Sequence, residues 1–431
     1  MQKEPEILSF DALVVGGGIA GGETALNLAN NGYKVALVEK ELSIGGKMIL
    51  LSKVFPTLDC AACITTPKVS EISRHPNISI FTETDVHSIE KLGEKNFEAR
   101  VTRRPRYVVE ADCTACQLCE EACPVVVRDE YQYNLVGRKA AFIPFSICSP
   151  KVAAIDIDNC TLCGACEKVC PPGCIDFTQK PREYVLKAKT TIVATGFKLF
   201  DPLKISRYSY GSAKNVITSM QMERQLAPTR PFHTILRPGD GKMPDKLAYV
   251  LCAGSRDDSV GNPICSQICC MYSIKQAQLL MGALPMADIT IYYIDIRAFG
   301  KGYDEFYEQA VSMGVRFVKG KIGKITEKPN GNLSLRYEDI ATGKLKEADH
   351  DMVVLSVGVT ANAEAGNLFE GKKLELDVLN YVAQPSPLLS PSKTNIEGVF
   401  VAGTATGPKD IPDSILSAGA AAGEAISYLN Q

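Results

Sequence analysis

The chain has 431 residues, enough for two or three domains at roughly 150 residues each, and its 45% apolar and 22% charged residues exclude disordered and fibrous classes. No apolar run approaches the ~18 residues of a membrane-spanning helix, and residues 1–10 are polar and acidic, without the basic and apolar regions of a signal peptide, so a cytoplasmic chain is expected. A net charge of −2 is too balanced for a nucleic-acid surface, and the basic group Arg100, Arg103, Arg104 and Arg106 reads as a solvated strand and linker.

Residues 10–40 read F-D-A-L-V-V-G-G-G-I-A-G-G-E-T-A-L-N-L-A-N-N-G-Y-K-V-A-L-V-E-K. A strand at 12–15, a Gly-rich turn, a helix and a second strand at 35–38 ending in Glu39 make the βαβ setting in which G-x-G-x-x-G binds a dinucleotide. Gly16, Gly18 and Gly21 allow the tight turn and the close approach of backbone to pyrophosphate at a helix N-terminus. Glu39 then accepts from the adenosine ribose, with Lys40 beside it, and the loop Gly45, Gly46 and Lys47 follows. Lys47 is read as a phosphate contact, a charge that tunes the bound cofactor, or a solvated side chain.

Sixteen cysteines are many for a chain expected in a reducing compartment, where thiols in such number point to metal rather than disulfides. Residues 113–124 read C-T-A-C-Q-L-C-E-E-A-C-P and residues 160–171 read C-T-L-C-G-A-C-E-K-V-C-P, one motif twice. This C-x2-C-x2-C-x3-C-P run is the bacterial ferredoxin signature, in which three close thiolates hold one [4Fe-4S] cube and the fourth cysteine reaches the other. The crosswise sets are Cys113, Cys116, Cys119 and Cys170 for cluster 1, and Cys160, Cys163, Cys166 and Cys123 for cluster 2. Zinc needs four ligands and leaves the third spacing and the C-P unexplained. Residues 139–145 read as a strand, and Cys148 and Cys174, outside the motif, as packing residues.

Two later segments resemble the two-dinucleotide-binding flavoprotein group that includes thioredoxin reductase. T-I-V-A-T-G at 191–196, with Thr195 and Gly196, is similar to the turn that returns to the FAD domain; G-V-F-V-A-G at 398–403 is similar to the last FAD strand. The family usually has Asp after Gly403, where this chain has Thr404. G-P-K-D-I-P at 407–412 then opens a helix expected over 413–428, and Lys409, Asp410 and Ile411 fall near the flavin in this reading, Lys409 and Asp410 as charges that tune it. In between, a strand at 247–251 enters C-A-G-S-R at 252–256, and the next helix is expected to open with I-C-S-Q-I-C-C-M-Y at 264–272. The second G-x-G-x-x-G is missing there, so an α/β domain without pyridine nucleotide is expected. A helix over 301–314 and a closing strand over 351–358 complete it.

Cys60 and Cys63, with Cys265 and Cys269, are the expected ligands of a third [4Fe-4S] cluster, with Cys270 or Cys252 as alternatives. A redox-active dithiol or buried structural thiols are the other readings of these residues. The four histidines, His75, His87, His233 and His350, have no spacing for a metal pair or triad.

With D-C-A-A-C at 59–63, T-P-K-V at 66–69, S-R-H-P-N at 73–77, C-A-G-S-R-D at 252–257, C-S-Q-I-C-C-M-Y at 265–272 and A-G-T-A-T-G-P-K-D-I-P at 402–412, the chain resembles the A-type subunits of heterodisulfide reductase over essentially its whole length. The resemblance implies an α/β, thioredoxin-reductase-like two-dinucleotide-binding flavoprotein with an inserted α+β 2[4Fe-4S] bacterial-ferredoxin domain, in a form shorter than the methanogen proteins. The expected domains are 1–105, 181–239 and 373–431 for FAD, 106–180 for the ferredoxin insert and 240–372 for the second Rossmann-like domain. Further implications are a cytoplasmic oxidoreductase component whose FAD takes an electron pair and passes single electrons into clusters, including by flavin-based bifurcation, with iron–sulfur and terminal reductase subunits and ferredoxin as partners, and a homodimeric core. Two other classes are an NAD(P)H-dependent flavoenzyme similar to the glutamate synthase small subunit, which the lost fingerprint opposes, and a redox sensor or assembly module, which the intact cofactor motifs oppose.

Overall fold

The computed structural model describes residues 4–431; the part of the N-terminal expectation that rests on residues 1–3 lies outside them. The chain forms two compact units, one of residues 1–49, 63–197 and 361–431, the other of residues 50–62 and 198–360.

The first unit is built on a five-stranded parallel sheet in the order Val399–Val401, Thr190–Val193, Ala12–Val15, Val35–Val38, Ile78–Phe81. These strands are short, and the central ones are buried on both faces, as a parallel sheet requires. Helix Ile19–Asn30 follows the first central strand and packs against the C-terminal helix Ile411–Asn430. That last helix starts two residues before the expected 413, because Pro412 sits in its first turn, where a missing N–H costs nothing.

A second sheet of this unit runs Glu6–Ser9, Arg182–Ala188, Asn96–Arg103, Thr84–Gly93. Asn96–Arg103 and Arg182–Ala188 are antiparallel neighbours with Arg103 opposite Arg182. The cysteine-rich insert therefore leaves and re-enters the sheet at one paired position, as an enlarged hairpin loop. Its core gathers Val108, Cys119, Cys123, Ile143, Cys148, Cys166, Cys174 and Ile175. The expected strand over 139–145 is two short ones, Gly137–Lys139 and Ala141–Phe142, with different partners, Val126–Arg128 and Ala154–Ile155.

Arg106, at the root of the insert, corrects the reading of the basic group as solvated. Only 3% exposed, it donates to Leu42 O and to Thr82 Oγ1 at 2.9 Å and pairs with Glu83 at 3.2 Å and Glu110 at 3.1 Å. A buried guanidinium is tolerated because these acceptors surround it.

The second unit is a seven-stranded sheet ordered Val216–Thr218, Met352–Val357, Lys246–Ala253, Asp288–Tyr293, Arg316–Glu327, Leu333–Asp339, Lys344–His350. The first five strands are parallel and the last two form an antiparallel extension. Three segments fall differently from the expected domains, one of them residues 50–62, expected with FAD and grouped here. Residues 198–239, expected with FAD, belong here, since Val216–Thr218 is an edge strand of this sheet; residues 361–372, expected here, belong to the first unit. Helix Tyr303–Ser312 stands where 301–314 was expected.

Candidate redox centres

In the first unit the Gly-rich turn sits at the C-terminal end of the Ala12–Val15 strand, where open α/β sheets bind ligands. Gly16 has φ +108°, and a Cβ on Gly21 would lie 1.8 Å from Gly16 O, so neither position takes a side chain without rebuilding the turn. Gly18 precedes helix Ile19–Asn30 and provides no side-chain cap, which leaves the first-turn N–H groups available to an anion. Facing this turn, Gly45 N–H donates to Gly17 O at 2.8 Å, and a Cβ on Gly46 would lie 2.9 Å from Gly18 Cα.

Glu39 ends its strand beside this cradle, accepting from Gly17 N–H at 2.7 Å and Glu41 N–H at 3.0 Å. Burial pushes its carboxyl above the usual range, and those two hydrogen bonds oppose the shift. Lys40 is exposed. Lys47 Nζ donates to Phe197 O at 2.8 Å and lies 4.8 Å from the Phe197 ring centroid.

The later FAD segments converge on the same region. A Cβ on Gly196 would lie 3.9 Å from Thr404 Oγ1, and Gly403 N–H donates to Ser417 Oγ at 3.0 Å. Asn362 Nδ2 donates to Thr195 O at 3.3 Å, while Thr195 Oγ1 and Asn362 Oδ1 are buried without a partner in the protein. Buried polar atoms need partners; a bound dinucleotide has many to offer, and the glycine cradle leaves the backbone bare for its pyrophosphate. The residues fit FAD on both counts. Asn362 carried no sequence signal. Lys409 Nζ donates to Thr406 Oγ1 at 2.5 Å, and burial pulls its ammonium below the usual value. Asp410 caps the last helix, accepting from Asp413 N–H at 2.9 Å, and Ile411 is the first residue of that helix.

In the insert, the two cysteine runs fold alike. Ala115 and Gln117 of the first and Leu162 and Gly164 of the second, at matching positions, have φ of 55°, 68°, 54° and 71°. These left-handed residues curl each run at the same two places, and the short helices Leu118–Ala122 and Ala165–Lys168 pack together. Cys113, Cys116, Cys119 and Cys170 line one recess, joined by Cys174. Cys166 has Cys160 and Cys123 as its electrostatic neighbours. Burial, then the neighbouring Cys113, pushes Cys119 up to about 11; bound iron removes this penalty by replacing the thiol protons. Among the described residues no three Cys, His, Asp or Glu side chains converge on a single ion.

The expected third set was Cys60, Cys63, Cys265 and Cys269, with Cys270 or Cys252 as alternatives. Cys60 and Cys63 are disulfide-bonded and the other fourteen cysteines are free. With two residues between them at the start of helix Ala61–Arg74, their sulfurs reach each other. Within the second unit Cys252, Cys265, Cys269 and Cys270 interact with one another. Burial first, and mutual repulsion second, raises Cys252, Cys269 and Cys270. Helix Cys269–Ala283 starts five residues later than expected, because Gln267 takes φ +61° and holds 264–268 as a loop. That loop, with Gly254 packed against the Phe200 ring, stands where a nucleotide-binding turn would run straight into its helix.

Two family models match, a "4Fe-4S dicluster domain" over residues 110–174 and an "FAD binding domain" over residues 11–51. Among solved structures, thioredoxin reductases from T. acidophilum and Lactococcus lactis share the fold, with TM-scores of 0.56 and 0.55 at 15% identity over 98% of this chain and 99% of theirs. Among curated proteins, the chain is 44% identical over 96% of its length to the A subunit of the H(2)/formate:CoB-CoM heterodisulfide,ferredoxin reductase of Methanococcus maripaludis. It is also 44% identical over 95% of its length to the A-type iron–sulfur subunit of the CoB–CoM heterodisulfide reductase of Methanocaldococcus jannaschii. It spans 63% of the length of each. Over almost its whole length the chain is therefore similar to heterodisulfide reductase A subunits, on a thioredoxin-reductase-like fold with an FAD-binding segment and an inserted 4Fe-4S dicluster domain.

Proposed function

We propose that the chain is the electron-transferring FAD/iron–sulfur subunit of a larger cytoplasmic oxidoreductase of the heterodisulfide reductase type, and that it relays electrons between FAD and [4Fe-4S] clusters. The observation that carries this reading is the stitching of the insert to the FAD loop within one compact unit. Ile44 N–H, next to Gly45, donates to Ser149 O at 3.0 Å; Ser149 N–H donates to Ser43 Oγ at 2.8 Å; and the two hydroxyls of Ser73 and Ser149 lie 2.7 Å apart. Together with the buried Arg106, these bonds tie the insert to the loop beside the glycine cradle, which supports a relay that needs flavin and clusters held close.

FAD supplies the exchange between two-electron and one-electron chemistry. The chain's residues hold it: the Gly16, Gly18, Gly21 and Gly46 backbone toward the pyrophosphate, Glu39 toward the ribose, Thr195, Gly196, Gly403 and Thr404 toward the rest. Lys47, Lys409 and Asp410 set the charge around it. Cluster 1 is held by Cys113, Cys116, Cys119 and Cys170, cluster 2 by Cys160, Cys163, Cys166 and Cys123. The recess shared by the first four thiols supports the former, and the grouping of Cys166 with Cys160 and Cys123 supports the latter. A third cluster is held by Cys252, Cys265, Cys269 and Cys270, in place of the set with Cys60 and Cys63. Iron–sulfur and terminal reductase subunits, a ferredoxin-class donor and a second copy of the chain are its partners.

The test is anaerobic reduction of the purified chain. Flavin bleaching by a one-electron donor such as reduced ferredoxin, with none by NADH or NADPH, is expected. Rapid bleaching by NADH would instead establish the self-sufficient NAD(P)H-dependent flavoenzyme.

A further inference from the structure

The two cysteine runs differ four residues after their fourth cysteine, where the first has Val127 and the second has Cys174. After Cys170 the chain turns through Pro171, Pro172 and Gly173. Gly173 takes φ +63°, and its N–H donates to Cys170 O at 3.1 Å, which brings residue 174 back beside residue 170. Cys174 O accepts from Val109 N–H at 2.7 Å, which fixes the return.

The result is a fifth thiol at the corner of a four-thiol recess. Cys174 is 3% exposed, lines the recess with Cys113, Cys116, Cys119 and Cys170, and has its sulfur 3.4 Å from Cys170 Sγ. That separation is well beyond a disulfide bond of about 2 Å, yet close enough for either sulfur to face the same iron after a small side-chain rotation. A packing residue at this position needs only an apolar side chain.

We propose that Cys174 is an alternative ligand for the corner of cluster 1 held by Cys170. The inference rests on the cluster 1 assignment above. In the exchange the Fe–S bond to Cys170 breaks, the Fe–S bond to Cys174 forms, and the Cys174 thiol proton passes to the Cys170 sulfur; no electron moves and the charge is unchanged. Cluster 1 thus has a redundant corner. The matching corner of cluster 2, held by Cys123, has no second cysteine four residues on, where Val127 stands.

The full chain purified anaerobically as C170A, C123A, C119A and C170A/C174A separates the possibilities, with iron and acid-labile sulfide measured per bound FAD and EPR recorded after dithionite reduction. C170A is expected to keep the wild-type iron content, whereas C123A and C170A/C174A each lose about four iron, one cubane. Loss of about four iron in C170A, equal to that in C123A, would overturn the proposal. Unchanged iron in C119A would instead overturn the cluster 1 assignment itself. C170S gives a second reading: its EPR spectrum is expected to match that of C170A, because Cys174 holds the iron in both. Different spectra for the two variants would mean that serine has become the ligand and would contradict the proposal.

Discussion

Replacing Glu223 by Gln should loosen the second unit by several kilocalories per mole. Glu223 and Lys275 are each 2% exposed at their side chains and lie 2.5 Å apart. Glu223 also accepts from Gln276 Nε2 at 2.5 Å, from Ser52 N–H at 2.8 Å and from Ser52 Oγ at 2.6 Å, and Lys275 further donates to Lys53 O at 2.8 Å. Burial alone would raise the Glu223 carboxyl; the ammonium of Lys275 and the hydrogen bonds outweigh it and hold the group ionised. E223Q keeps the shape but turns an amide N–H₂ toward this ring of donors and leaves a buried ammonium without its counter-charge. Breaking one side of such a pair costs about 3–5 kcal/mol, which lowers hydrogen-exchange protection by roughly two to three and a half powers of ten. The assay is native-state amide exchange in helix Cys269–Ala283, which carries Lys275 and Gln276. E223Q/K275M removes both charges and should recover most of the loss. Less than a tenfold change in E223Q, or a double variant no better than the single, would refute the reasoning.

Burial, with the Arg316 charge second, pulls His350 down to about 4, and its Nε2 lies 3.0 Å from Tyr292 OH. With an unfolded value of about 6.5, the unfolded chain binds the proton more readily, so stability falls as pH drops from about 6.5 to 4, by about 3 kcal/mol at the lower end. Thermal melting across that range should show the fall, and H350Q should flatten it; equal slopes would contradict it. G21A places a methyl against Gly16 O and should weaken FAD binding by roughly tenfold or more, at least about 1.4 kcal/mol, while iron in the insert stays; full FAD content would count against the cradle. K409A, by removing a positive charge worth about 1 kcal/mol at close range, should lower the flavin midpoint by roughly 20 mV for a two-electron couple. An unmoved midpoint in spectroelectrochemical titration would place Lys409 away from the flavin.

The sheet strands at 12–15 and 35–38 were legible because apolar runs flanked by glycine and a terminal acid fit few alternatives, and the structure has them as Ala12–Val15 and Val35–Val38. The doubled cysteine run was legible for the same reason. Its spacing carries the chemistry, and the matching left-handed residues at 115, 117, 162 and 164 show the backbone that goes with it. What the sequence hid is what folding brings together from afar. Arg106 reads as one member of a basic run until Glu83 and Leu42 enclose it. Residues 198–239 carry no boundary signal, and their placement depends on Val216–Thr218 finding the Met352–Val357 edge. The grouping of Cys252 with Cys265, Cys269 and Cys270 depends on the end of a strand meeting the loop and helix start that follow it. Cys174 reads as packing until the turn at Gly173 lays it against Cys170.

The central claim is that one chain holds FAD together with cubane clusters in both of its units. Iron, acid-labile sulfide and FAD per chain, measured on anaerobically purified protein, test it most directly. The account predicts about twelve iron, about twelve sulfide and one FAD, three cubanes and a flavin. About eight iron would remove the cluster from Cys252, Cys265, Cys269 and Cys270, and fewer than about eight, or iron without stoichiometric FAD, would contradict the relay itself.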